Sequence, residues 1–139
     1  MTTPAIAFQY AQVSQVRIAR PTNRLEELVA FYRDGLGLCE LGRFCDHEGY
    51  DGVMLGLPEA HYHLEFTQRR AGSPCPAPSA DNLLVLYILD PDELAGLSKR
   101  LQSLGHSPVD PHNPYWRDKS VTFEDPDGWR VVLCSELGI

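Results

Sequence analysis

The sequence predicts an α+β fold: two tandem βαβββ modules whose curved mixed sheets enclose a pocket. Three observations point to it. Each half of the chain reads strand, helix, strand, strand, strand. A proline-rich connector, QRRAGSPCPAPSAD at 68–81, separates the halves. One offset of 67 carries markers of the first half onto the second: Gln15 to Asn82, Asn23 to Asp90, Glu26 to Glu93 and Glu65 to Val132. The reading is of one domain over 1–139, with modules at about 13–67 and 82–135 and the linker at 68–81. A sheet carrying one helix covers only one of its faces, so the other must be buried elsewhere or line a cavity.

The first strand is read from alternation, with Val13, Gln15, Arg17 and Ala19 on one face and Val16 and Ile18 on the other. Asn23 is the expected N-cap of the following helix, with Glu26 three residues on. Leu25, Leu28, Val29, Tyr32 and Leu36 then recur at helical spacing until Gly35 and Gly37 end the element. Strands are expected over Leu38 to Phe44, Asp51 to Leu57 and Tyr62 to Thr67. Three prolines in the linker exclude a regular helix or a central strand there.

In the second half, Asn82 to Leu89 forms an apolar strand. Asp90, Pro91 and Glu93 supply the N-cap, first-turn proline and acid of a helix striped by Leu94, Leu97, Leu101 and Leu104 and stopped by Gly105. Strands are expected at His106 to Val109, Lys119 to Glu124 and Trp129 to Ser135, the last two joined by a turn at DPDG, Asp125 to Gly128. Stepping by two puts Val16, Ile18, Leu64, Phe66, Leu83, Val85, Val131 and Leu133 toward the helices. The concave faces then receive Gln15, Arg17, His63, Glu65, Thr67, Asn82, Leu84, Arg130, Val132 and Cys134.

Composition excludes several classes of function. The 139 residues carry 12 Lys and Arg against 19 Asp and Glu, a net charge of -7, with no dense basic patch. Nucleic acid is therefore not the expected partner. No apolar run approaches a membrane span, and the N-terminal stretch MTTPAIAFQYAQ has neither a basic flank nor a hydrophobic core. Cys39, Cys45, Cys75 and Cys134 are dispersed, with no CxxC pair, so free thiols and a cytoplasmic location are expected. GLGL at 35–38 follows a helix instead of opening one, and HExxH is absent, so neither a dinucleotide loop nor that zinc motif is present.

Glu65 is the sharpest candidate for chemistry. It lies in HYHLEFT between Leu64 and Phe66, and a carboxylate there must be solvated, paired, or bound to a metal or ligand. Arg17 and His63 share its expected face, so a structural ion pair, a ligand-recognition pair and a metal site are all open. His63 is either a proton carrier near neutral pH or a polar strand residue. HNPYW, His112 to Trp116, offers two large aromatics that either cap an apolar ligand or plug the end of a sheet.

The segments VRIARPT with LVAFYRDGLGL, then DGVMLG, HLEFT, DNLLVLYI and TFEDPDGWRVVL, resemble the vicinal oxygen chelate superfamily of glyoxalases, bleomycin-resistance proteins and extradiol dioxygenases. They cover about residues 13–135 in the expected order. Within it the chain looks like an uncharacterised glyoxalase-like group with ARPT, HLEFT and NPYW segments. The resemblance implies paired βαβββ modules around a site and places the superfamily's metal ligands at Gln15, Glu65, Asn82 and Val132. Val132 has no donor atom and Asn82 is a weak substitute, so a complete divalent site is not expected and no cofactor is assigned.

The implied function is recognition of an anionic or oxygen-rich organic ligand through Gln15, Arg17 and Asn82, with aromatic cover from Tyr115 or Trp116. The alternatives are a lyase or isomerase using Glu65 or His63 for proton transfer, a metal-dependent dioxygenase-like activity, and an antibiotic-sequestering resistance protein. A homodimer is the implied assembly.

Overall fold

The computed structural model describes residues 11–139. The first ten residues, which carry most of the N-terminal stretch discussed above, lie outside the described residues. The first module contains β1 (Val16–Pro21), α1 (Leu25–Val29) running into a π-helical turn (Ala30–Gly35), β2 (Cys39–His47), β3 (Tyr50–Gly56) and β4 (Tyr62–Arg69). The second contains β5 (Leu83–Tyr87), α2 (Pro91–Ser103), a 3₁₀ turn (Pro114–Trp116), β6 (Ser120–Glu124) and β7 (Arg130–Cys134). The sheets have strand orders β1-β4-β3-β2 and β5-β7-β6. β1 runs parallel to β4 and β5 parallel to β7; the other pairs are antiparallel.

The strand expected over His106 to Val109 is reduced to one bridge, in which the Val109 N–H donates to the Thr122 carbonyl at 2.8 Å. Pro108 and Pro111 supply no backbone donor there, which prevents a longer ladder. The second sheet therefore has three strands.

The start of α1 also differs from expectation. Asn23 is not its cap: its side chain donates to the Ser73 carbonyl at 2.7 Å and accepts from the Ser73 N–H at 3.2 Å, pinning the linker. Arg24 occupies the cap position without a side-chain cap, and two backbone amides at the helix start find side-chain acceptors elsewhere. Thr22 Oγ1 accepts from the Arg24 N–H, and Gln68 Oε1 on β4 accepts from the Leu25 N–H, each at 2.9 Å. In α2, Asp90 caps as expected, accepting from the Asp92 N–H at 2.9 Å with Pro91 next in line.

This one-residue difference propagates into β5. Ala19 pairs with Glu65 as Val85 pairs with Val132, so β1 maps onto β5 with an offset of 85 − 19 = 66. The helix caps agree, since 90 − 24 = 66, whereas Glu65 maps onto Val132 at 132 − 65 = 67. Leu84 and Leu86 consequently pair with the core residues Val131 and Leu133 and pack against the core, while Leu83 and Val85 take the opposite face. That corrects the side expected for Leu83, Val85, Leu84 and Asn82. LLVLY is apolar on both faces, so its alternation carries no phase.

The helix-facing sides of both sheets share one core. Leu28, Phe31 and Tyr32 pack with Val53, Leu55, Leu64 and Phe66 of the first sheet and with Leu101, Phe123, Val131 and Leu133 of the second module. The modules approach closely at Gly35, where a Cβ would lie 2.5 Å from Leu101 Cδ2. Arg100 Nε donates to the Gly35 carbonyl at 2.8 Å across the same crossing.

Candidate functional site

The outer face of the first sheet is built from β1, β4 and β3. In register, Arg17 stands beside His63, and His63 beside Gly56; Glu65 stands beside Met54, and Thr67 beside Gly52. The two glycines make room on this face for side chains of β2. Leu41 and Phe44 of β2 lie over them, and a Cβ on Gly56 would meet His63 Cβ at 3.0 Å and Leu41 Cδ1 at 3.1 Å.

Arg17 organises the polar groups. Its Nη1 pairs with Glu65 Oε2 at 3.3 Å, and its Nε donates to His63 Nε2 at 2.8 Å. The Arg17 side chain is half exposed, whereas that of Glu65 is 13% exposed and His63 is 5% exposed. Because Nε2 accepts, the ring proton of His63 resides on Nδ1. That atom is buried and has no hydrogen-bond partner among the described residues. The arrangement offers a half-exposed guanidinium backed by an oriented carboxylate: it suits an oxyanion and holds a base beside it.

The other sequence candidates are dispersed. Gln15 is exposed just ahead of β1. Asn82 closes the turn before β5, where Ser79 Oγ donates to its Oδ1 at 2.9 Å and its own N–H donates to the Ser79 carbonyl at 3.0 Å. Tyr115 and Trp116 make an edge-to-face pair at 4.9 Å, and Lys119 Nζ sits 3.7 Å from the Tyr115 ring centroid. Trp116, with Pro111 and Asn113, lies over Leu83, Thr122 and Val132, leaving no room for water between loop and sheet. This aromatic loop thus covers the second sheet, and no hydrogen bond among the described residues joins it to Arg17, His63 or Glu65.

The residues at the superfamily's metal positions do not fit a divalent ion. Val132 is fully buried and has no donor, Asn82 shares the parity of the core-facing Leu84, and Glu65 is held by Arg17. Among the described residues, no three His, Cys, Asp or Glu side chains come together as a metal-holding group.

Sequence reasoning missed a second polar cluster. Arg20, on the helix-facing side of β1, donates through Nη2 to the Tyr32 hydroxyl at 2.8 Å and to Asp125 Oδ2 at 3.1 Å. Tyr32 also donates to Asp125 Oδ2 at 2.7 Å. Asp125 Oδ1 accepts from the Asp127 and Trp129 N–H groups at 2.9 and 3.0 Å. The Arg20 guanidinium lies over Phe66 at 4.8 Å and Trp129 at 4.2 Å. Burial, reinforced by the negative charge of Asp125, holds the Tyr32 hydroxyl well above its ordinary pKa of 10.0. The available signal was Arg20 itself, a charge on the face otherwise defined by Val16 and Ile18.

Two family descriptions match the chain: the YycE-like N-terminal domain at residues 16–67 and the YycE-like C-terminal domain at 81–135. The YycE protein of Bacillus subtilis is 51% identical over 132 residues, 95% of each chain. A crystal structure of a YycE protein of unknown function from B. subtilis superposes with a TM-score of 0.88, at 52% identity over 92% of this chain and 93% of that one. The trypanothione-dependent glyoxalase I of Leishmania major is similar in fold, with a TM-score of 0.67 at 18% identity over 91% of this chain and 88% of that one. So is an antibiotic-binding protein from a Streptomyces species, at 0.63 and 23% identity over 90% and 98%. With both halves matched in order and half of all positions shared with a full-length relative, the chain belongs to the YycE-like family of the vicinal oxygen chelate superfamily.

Proposed function

We propose that the chain is a small-molecule-binding protein that recognises an anionic, oxygen-rich organic ligand at the Arg17 face of the first sheet, without the superfamily's divalent metal. One observation carries this reading: a half-exposed guanidinium, oriented by Glu65 and His63, stands on the outer sheet face beside the apolar side chains of Leu41 and Phe44. A guanidinium so held presents paired donors to a carboxylate or enolate oxygen. Gln15, on the same strand parity, extends the polar surface. No hydrogen bond among the described residues joins Asn82, Tyr115 or Trp116 to Arg17. Assembly as a homodimer belongs to this reading, supported by exposed Val16, Tyr87 and Leu89 at and beside the ends of β1 and β5. A cytoplasmic location is supported by the four unpaired cysteines.

A second reading, proton transfer by a lyase or isomerase, is favoured by the oriented, largely buried carboxylate of Glu65 next to the oxyanion donor. The test is a panel of short 2-oxo acids, hemithioacetals, catechols and glycopeptide antibiotics, screened by ligand-dependent thermal stabilisation and turnover. Arg17→Gln is expected to weaken the binding of any stabilising ligand about tenfold, the loss of one charge-assisted hydrogen bond. Turnover lost in Glu65→Gln with binding retained selects the enzyme; stabilisation without turnover selects recognition or sequestration. Unchanged stabilisation in Arg17→Gln overturns the site, and stoichiometric Zn²⁺ or Ni²⁺ in native mass spectrometry that disappears in Glu65→Gln overturns the metal-free reading.

A further inference from the structure

A cavity of about 180 Å³ lies at the seam between the modules, lined by residues of β1 and β5, the strands at the free edges of their sheets. Its walls are mostly apolar, with Ile18, Leu84 and Trp129 prominent, yet Arg20, Asn82 and Arg130 also line it. Arg20 spends Nη2 on Tyr32 and Asp125, and no hydrogen bond among the described residues uses its Nε or Nη1. Asp125 cannot answer those donors, because its two oxygens already accept four hydrogen bonds. Arg130 donates through Nη1 to the Asp110 carbonyl at 2.9 Å and pairs through Nε with Glu124 Oε2 at 3.5 Å, while no hydrogen bond among the described residues uses its Nη2. Two guanidinium groups with unused donors therefore border one small apolar space. An anionic acceptor entering here meets charge-assisted hydrogen bonds.

We propose that this cavity is a second binding site, on the opposite face of β1 from Arg17, for a small ring carboxylate. The carboxylate is held by Arg20 and Arg130 and the ring rests against Trp129 and Ile18. The size agrees: an engineered apolar cavity of about 150 Å³ takes up benzene. Asn82, which sequence reasoning placed with Arg17, belongs to this site.

The probe is benzoate, with benzamide as its neutral match, titrated into the full chain and followed by the indole N–H resonances of Trp129 and Trp116. Benzoate is expected to shift Trp129 and not Trp116, and to bind about tenfold tighter than benzamide, the worth of one charge-assisted contact. Arg130→Gln is expected to remove a similar factor, while Arg17→Gln leaves the titration unchanged. Should Arg130→Gln fail to fold, Ile18→Trp, at an exposed strand position, fills the cavity mouth and is expected to abolish the shift. The proposal is overturned if Trp129 does not respond at millimolar benzoate, if benzamide binds equally well, or if binding survives Arg130→Gln or Ile18→Trp. Loss of binding in Arg17→Gln overturns it too and assigns benzoate to the Arg17 face.

Discussion

Asp125 shows how one side chain can be read correctly and incompletely. The DPDG pattern announces a turn, and Oδ1 does organise that turn by accepting two backbone amides. Its other oxygen reaches out of the second module to Tyr32 and Arg20 of the first, which local pattern cannot reveal because the partners are 93 and 105 residues away. Arg17 and Glu65 were legible for the opposite reason: strand parity alone places them on one face, and opposite charges on a shared face pair. Tyr32 gives a testable pH signature. Its folded pKa is raised above the unfolded value of about 10, so the folded state holds the proton longer. The associated stability is complete below pH 10 and declines as pH rises from there toward the folded pKa. Tyr32→Phe is expected to lose about 1–3 kcal/mol at neutral pH, because Asp125 loses a buried donor, and to show a shallower alkaline decline than the parent in urea unfolding.

At the scale of elements, long amphipathic segments and capped helices were legible and phase was not. α2 announces itself by Asp90, Pro91 and its leucine stripe, and it forms as read. β5 has no polar residue to mark a face, so its side was inherited from the assumed repeat offset and came out reversed. The strand at His106 to Val109 failed because two prolines outweighed position within the repeat. Gly35 was read as a helix stop; its larger role is the close approach of the π-helical turn to Leu101. Gly35→Ala is expected to lower stability by about 1–3 kcal/mol, because Leu101 is fully buried and cannot yield without disturbing the core. A reduced urea midpoint with an unchanged slope checks this; an unchanged midpoint shows that Leu101 shifts freely.

For the whole molecule, the duplicated architecture was legible because hydrophobic periodicity and turn chemistry repeat twice, whereas the arrangement of the halves was not. Their union depends on contacts between residues with no sequence relation, such as Phe31 with His106 at 4.8 Å. It also leaves a groove of about 1020 Å³ beside β5 and α2, with Leu36, Leu57, Leu86 and Leu97 on its walls. The exposed Tyr87 on its wall accords with the proposed homodimer. Sedimentation equilibrium is expected to give twice the chain mass of 15.6 kDa at micromolar concentration. A single species of one chain mass across the concentration range rejects the dimer.

The clamp formed by Gly35 with Leu101 at one place and by Arg20 with Asp125 at another has a consequence for ancestry. Each fastening takes one residue from either half, so neither half can drift alone at these positions. Chimeras that exchange halves between distant relatives are therefore expected to be most stable when both fastenings travel as matched pairs, and a mismatched chimera of equal urea midpoint overturns that coupling.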